Sequence, residues 1–187
     1  MTDLMTRSTI NDIDVTSLGE VVEAIRQDAS KALVGFAVNT RWTGQTRSVS
    51  TVKGYDMAGQ HIARSFEIIA DEPHELLGTN NAPNPQELLM SALNACMTVG
   101  YVAGAALRGI TLDSLEIETS GKLDLRGFLG LDDTVPAGYE ALDYVVRISG
   151  DGTAEQFAEI HRTVMATSPN YFNMARPIRM NGRLEVA

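Results

Sequence analysis

The stretch Asn84-Pro-Gln-Glu-Leu-Leu-Met-Ser-Ala-Leu-Asn-Ala-Cys-Met97 decides how the rest of the chain is read. Asn84 has an N-cap side chain, Pro85 suits the first helical position, where no N–H is needed, and Glu87 stands at the third, from which its carboxylate can reach back to the cap. Leu89, Ala92, Leu93, Cys96, Val99, Ala103, Ala106 and Leu107 then recur at helical spacing and predict one apolar stripe, ending near Arg108-Gly109. The other faces carry Ala95, Gly100, Gly104 and Ala105, so this long helix is expected to be buried on more than one side. At its centre sits Cys96, the single cysteine of the chain.

Toward the N-terminus, Ser17-Leu-Gly-Glu20 reads as a capping box that opens a helix with Leu18, Val21, Val22, Ile25 and Ala29 on one side, running to about Ala32. Residues 1–16 read as frayed. From Gly35 the period changes to two: Phe36, Val38, Thr40 and Trp42 alternate, Thr43 to Thr46 turn, and Arg47 to Val52 return. A third strand is expected from His61 to Ala70, and a loop from Asp71 to Pro85, where Asp, Pro, Gly and Asn concentrate. Beyond the long helix the pattern predicts a strand near Leu115 to Leu123, a loop from Arg126 to Gly138, and a strand near Ala141 to Ser149. Thr153-Ala-Glu-Gln156 is a second capping box, whose helix turns Phe157, Ile160 and Val164 inward and ends near Ser168-Pro169. Ile178, Met180, Leu184 and Val186 alternate in an expected last strand. The order α-β-β-β-α-β-β-α-β, with strands adjacent in sequence, favours an α+β fold with an antiparallel or mixed sheet. At 187 residues the chain suits one domain with an extension. The expected division is 1–34, carrying one helix, and 35–187.

Fifteen Lys and Arg against 24 Asp and Glu give a net charge of −9, which disfavours nucleic acid or an anionic membrane surface as partner. The segment Met1 to Arg7 lacks the basic start and apolar run of a secretory signal, and no uninterrupted apolar stretch is long enough to span a bilayer. A soluble, cytoplasmic protein is expected. Phosphate-cradling loops, G-x-G-x-x-G, H-E-x-x-H, G-x-S-x-G and C-x-x-C are absent. His61, His74 and His161 have no metal-ligand spacing, and neither cofactor nor metal is called for.

Cys96 has two readings. It is a small hydrophobe on a core stripe, where free cysteine is commonly found, or it is a nucleophile, which requires a thiolate held by a cation. Because Cys96 lies beyond the first turn of its helix, the helix dipole does not supply that charge. Arg41 and Arg47 of the first hairpin, and Arg64 beyond it, are the candidates. Glu87 stands nine residues before Cys96, about 13 Å along the axis and on the opposite side of a straight helix, so the cap alone accounts for it.

The run from Asn84 to Met97 resembles the signature of the OsmC/Ohr superfamily, named for osmotically inducible protein C and organic hydroperoxide resistance protein. Asp71-Glu-Pro73 and Leu77-Gly78 ahead of it, Gly109-Ile-Thr-Leu-Asp113, Asp124-Leu-Arg-Gly-Phe128 and Ser168-Pro169 add to the likeness, which runs from about Phe36 to Val186. The resemblance implies a two-layer α+β fold, an intertwined homodimer around paired central helices, and a thiol peroxidase chemistry against organic hydroperoxides, with Cys96 at the peroxidatic position. An Arg, either Arg47 or Arg41, and a Glu would assist, with Glu87 as the candidate. Two positions depart from the peroxidase pattern. Ser168 stands where a second, disulfide-forming Cys is expected, so an external thiol would have to act as resolving partner. Gln86 holds the place of the peroxidase Glu, with Glu87 one step later. The alternative is a non-catalytic OsmC-like protein that binds a small molecule, with Cys96 as pocket lining or core.

Overall fold

Asp14, rather than Ser17, starts the first helix. In the computed structural model, which describes residues 9–186, β1 (Thr9–Ile10) and β2 (Ile13–Asp14) pair as a short antiparallel hairpin leading into α1 (Val15–Gln27). The Asp14 carboxylate accepts from the Ser17 backbone N–H at 3.0 Å and from its hydroxyl at 2.9 Å. Ser17 therefore donates to the cap instead of being the cap, because a carboxylate shortly before the expected boundary satisfies the same orphan N–H groups. The expected fraying is replaced by β1 and β2 over residues 9–14; residues 1–8 lie outside the described residues. Asp28 ends α1 and caps one 3₁₀ turn, Ala29–Ala32.

The described residues fall into two compact units that part after Ser91. In the first, β3 (Val34–Phe36), β4 (Asn39–Gly44), β5 (Arg47–Met57) and β6 (Gln60–Ala70) form an antiparallel sheet in which β5 pairs with each of the other three. The β5–β6 hairpin closes on Ala58-Gly59, both at positive φ (50° and 76°), the handedness that matches strand twist. Register sets Phe36 opposite Tyr55, Tyr55 opposite Ile62, and Val52 opposite Phe66. Phe36 and Ile62 thus flank Tyr55 on one face, while beyond the register shift between Val52 and Gly54 Phe66 and Ile68 stand opposite Val52 and Ser50; Phe36, Ile62, Phe66 and Ile68 are all exposed.

A single helix, α2 (Pro85–Ala106), begins in the first unit and continues into the second. There β7 (Leu112–Gly121) and β8 (Leu142–Gly150) pair antiparallel, the connection between them holding the short α3 (Leu125–Phe128). α4 (Ala154–Thr167) opens with the expected capping box, Thr153 and Gln156 bonding each other's backbone N–H. It gives way at Ser168 to α5 (Pro169–Ala175). Leu93, Met97, Tyr101 and Ala105 of α2 are buried with Ile110 and with Ile160 and Val164 of α4, against Leu115, Ile117, Tyr144, Val146 and Ile148 of the hairpin. Helices on one face of an antiparallel hairpin make this unit two-layered, and the chain as a whole is α+β, as expected.

Two expectations are corrected. The buried positions of α2 are Leu93, Met97, Tyr101, Ala105 and Ala106; of the expected stripe Leu93 and Ala106 are buried, whereas Leu89, Val99 and Leu107 are exposed. A helix apolar on several faces does not fix its own rotation by periodicity, and here the large Met97 and Tyr101 set it. The expected last strand is absent from the strand pairings, and Ile178, Met180, Leu184 and Val186 are exposed in irregular chain. Alternation marks a strand only where a sheet edge receives it. By length and composition α2 could also cross a membrane, although one of its faces packs in the core of the second unit.

Candidate functional site

Cys96 lies mid-helix on α2, half-buried, one position before the fully buried Met97. Its sulfur has a defined partner: the Ser168 hydroxyl donates to Sγ at 3.3 Å. Ser168 is itself buried. It caps α5, where its oxygen accepts the Tyr171 N–H at 3.4 Å, while its own N–H closes α4 on the Val164 carbonyl at 2.8 Å. A hydroxyl has one proton to give, and with its oxygen engaged by Tyr171 that proton is aimed at sulfur. The Asn170 amide donates to the Ala92 carbonyl at 2.8 Å, pinning the same turn onto α2 one helical turn before the thiol.

Small residues set the spacing of these helices. A Cβ on Gly100 would stand 3.0 Å from a Val164 methyl, and one on Gly104 would stand 3.3 Å from Ile160. Gly100 and Gly104 thus admit the close approach of α4. On the strand side, the Asn94 amide donates to the Ile117 carbonyl at 3.1 Å, and the Thr119 hydroxyl donates to Asn94 Oδ1 at 2.6 Å. Cys96 is held in a rigid frame of α2, α4, α5 and β7, the supporting shell a positioned nucleophile requires.

The other expected site residues belong to the first unit. Glu87 and Asn84 form the reciprocal cap read from the sequence: Asn84 N–H donates to Glu87 Oε2 and Glu87 N–H to Asn84 Oδ1, both at 2.8 Å. Arg41 on β4 is exposed. Arg47, at the start of β5, is half-buried, and its buried Nε has no hydrogen-bond partner among the described residues.

The loop ahead of α2 is organised by Asp71, a residue to which the sequence reading gave no role of its own. The Asp71 carboxylate, fully buried, accepts the Thr79 hydroxyl at 2.5 Å, the N–H groups of Glu72, Thr79 and Asn81, and the Thr46 hydroxyl at 3.1 Å. The Thr79 hydroxyl above all, then the Asn81 and Glu72 N–H groups and Thr46, hold it well below the usual carboxylate range, against the opposing cost of burial. Glu72 goes the other way: burial first, then the charges of Asp71 and Glu87, push its carboxyl up against a hydrogen bond from Asn84. The loop closes over Glu72 at Gly78, where a Cβ would collide with the Glu72 carbonyl at 1.7 Å. Among the described residues, no group of three or more His, Cys, Asp or Glu side chains is placed to hold a metal.

A helical layer on an antiparallel hairpin, with a lone thiol braced at the centre of the longest helix, defines an α+β protein of the OsmC-like class. Residues 78–181, more than half of the chain, match the family model for OsmC-like protein, and the chain belongs to that family. Solved structures agree on the fold. An OsmC-like protein from Mycoplasma pneumoniae superposes with a TM-score of 0.59 at 16% identity, covering 75% of this chain and 86% of that one. A Psychrobacter arcticus protein described as osmotic stress induced and of detoxification response gives 0.55 at 17% identity, covering 72% and 85%. An OsmC-like protein of unknown function from Vibrio cholerae gives 0.52 at 15% identity, covering 73% and 91%. No curated protein sequence matches the chain.

Proposed function

We propose that the protein is a cytoplasmic, homodimeric thiol peroxidase acting on organic hydroperoxides in oxidative stress defence, with Cys96 as nucleophile and an external thiol as resolving partner. The observation that carries this reading is the Ser168 hydroxyl aimed at Cys96 Sγ from a buried cap. A sulfur packed as filler needs no donor, whereas a thiolate is stabilised by one. In the cycle, the thiolate sulfur attacks the terminal oxygen of R–O–O–H. The O–O bond breaks, the alkoxide takes up a proton and leaves as the alcohol, and Cys96 is left as a sulfenic acid. An external thiol attacks that sulfur, forming a mixed disulfide and releasing water. A second equivalent displaces Cys96 as thiolate and leaves as the external disulfide. Ser168 cannot form an internal disulfide, which is why both reducing equivalents come from outside.

Arg47 is the better candidate for the cation, because it is half-buried with an unpartnered Nε while Arg41 is exposed. Glu87 serves as the helix cap. The exposed large apolar side chains of the first unit's sheet, Phe36, Ile62, Phe66 and Ile68 among them, support the homodimer, since uncovered apolar surface marks association sites.

The test is intact-mass analysis after treating the reduced protein with cumene hydroperoxide. Addition of one oxygen to wild type, none to Cys96→Ser, and regeneration by added thiol are expected. In Ser168→Cys the same treatment should close a disulfide between Cys96 and the introduced thiol, seen as loss of two hydrogens. An unmodified Cys96 in the folded wild-type protein would remove the enzymatic reading.

A further inference from the structure

The second unit has a cavity away from the Cys96 sulfur. It is about 430 Å³ and is lined by Tyr101 of α2, by Tyr144, Val146 and Ile148 of β8, and by Phe157, Ala158 and His161 of α4. This is within the roughly 300–1,000 Å³ of small-molecule sites. Its walls are aromatic and aliphatic, with no Asp, Glu, Lys or Arg among the lining residues. No lining residue offers a permanent counter-charge, so the chemistry favours a neutral ligand.

Three polar side chains reach the cavity, and two are already committed. The Tyr144 hydroxyl donates to Met165 Sδ at 2.7 Å. The Tyr101 hydroxyl, buried, lies 2.5 Å from His161 Nδ1, the two rings stacked at 6.1 Å. Burial pushes the Tyr101 phenol up to about 12, so it keeps its proton at neutral pH. In the tautomer in which the phenol donates to Nδ1, the neutral imidazole carries its hydrogen on Nε2. His161 Nε2–H is then the donor left for a guest.

We infer that this cavity is a binding site, separate from the thiol, for a small, neutral, planar and mostly apolar molecule carrying one hydrogen-bond acceptor, of the aryl ketone class. The rings of Tyr101, Tyr144 and Phe157 supply the flat apolar contact, and His161 fixes orientation through the acceptor. The inference does not depend on Cys96 chemistry.

Prodan, a neutral naphthyl ketone whose emission moves to the blue in apolar surroundings, is a suitable probe. Saturable, blue-shifted binding to the wild-type protein is expected. Ala158→Phe, which fills the cavity from the exposed side of α4, should abolish it. His161→Phe keeps the ring but removes the donor and should weaken binding about tenfold, the worth of one hydrogen bond. His161→Gln, able both to accept from Tyr101 and to donate, should restore most of it, and Cys96→Ser should leave it unchanged. Thermal melts run beside each variant; if His161→Phe does not fold, Ala158→Phe and His161→Gln decide. Absence of saturable binding, or binding that survives Ala158→Phe and so lies elsewhere on the protein, would overturn the inference.

Discussion

In the second unit Met97, Tyr101, Ala105, Ile160 and Val164 are all but sealed from solvent, whereas the buried side chain of the first unit is a carboxylate, Asp71. The buried hydrophobic residues among those described all fall after Ser91. The second unit is thus held by close packing of helices on a hairpin. The first is held by antiparallel ladders and by a polar knot at its edge, with Trp42 (76% exposed), Phe36 and Phe66 uncovered. A sheet with one apolar face is stable only when that face is covered. The contrast teaches where an association surface should be sought: on the sheet whose described residues include no buried hydrophobic side chain.

The most severe way to break this contrast is to charge the uncovered face. Phe66→Glu should convert the proposed homodimer into single copies or unfold the first unit outright, because a carboxylate buried at an apolar interface would have no partner there. Light scattering during size exclusion reads the result. A Phe66→Glu protein that keeps the wild-type mass and melting temperature would show that this face takes no part in assembly. Second in size is Met97→Ala, in the sealed core. Deleting that side chain should cost roughly 2–5 kcal/mol, and at about 2–4 °C per kcal/mol for a chain of this length the melting temperature should fall by roughly 5–15 °C. A shift under about 2 °C would mean that the core of the second unit is not what holds it.

How much of this could be read from the residues depends on how local the signal is. The Asn84–Glu87 cap, the Thr153–Gln156 capping box and the α+β class were legible because each rests on neighbours within four positions or on a two-residue period. The start of α1 was misplaced because Asp14 and Ser17 are both competent caps, and the structure uses the carboxylate. The rotation of α2 was not legible, since Ala and Gly on several faces leave the apolar moment nearly flat. Cys96 as the central residue was found from its surroundings in sequence, but its hydroxyl donor lies 72 positions away. The Tyr101–His161 pair is separated by 60 positions. No spacing rule reaches that far, and a histidine on a helix gives no sign of its partner. The alternation at Ile178–Val186 was a sound strand signal without a recipient edge in the described chain.

The finest way to sharpen the comparison acts on the polar knot alone. Asp71 has its carboxyl lowered in the folded protein from an ordinary value of 3.8, chiefly by the Thr79 hydroxyl. A group depressed on folding contributes stability that is fully present above its unfolded value and is lost as pH falls toward the folded one. The contribution should therefore be intact at pH 7 and decline below about pH 4. Asp71→Asn keeps the shape but turns an amide toward N–H groups that need an acceptor, so it should lower the melting temperature at pH 7 by roughly 5 °C. Because Glu72 is present in both proteins, its own upward shift, driven by burial and by the charges of Asp71 and Glu87, largely cancels between them. The gap between wild type and Asp71→Asn should then narrow steadily in melts taken from pH 5 to pH 2. A gap that stays constant over that range would show that the carboxylate's charge does not hold the loop, and that the first unit relies on its ladders alone.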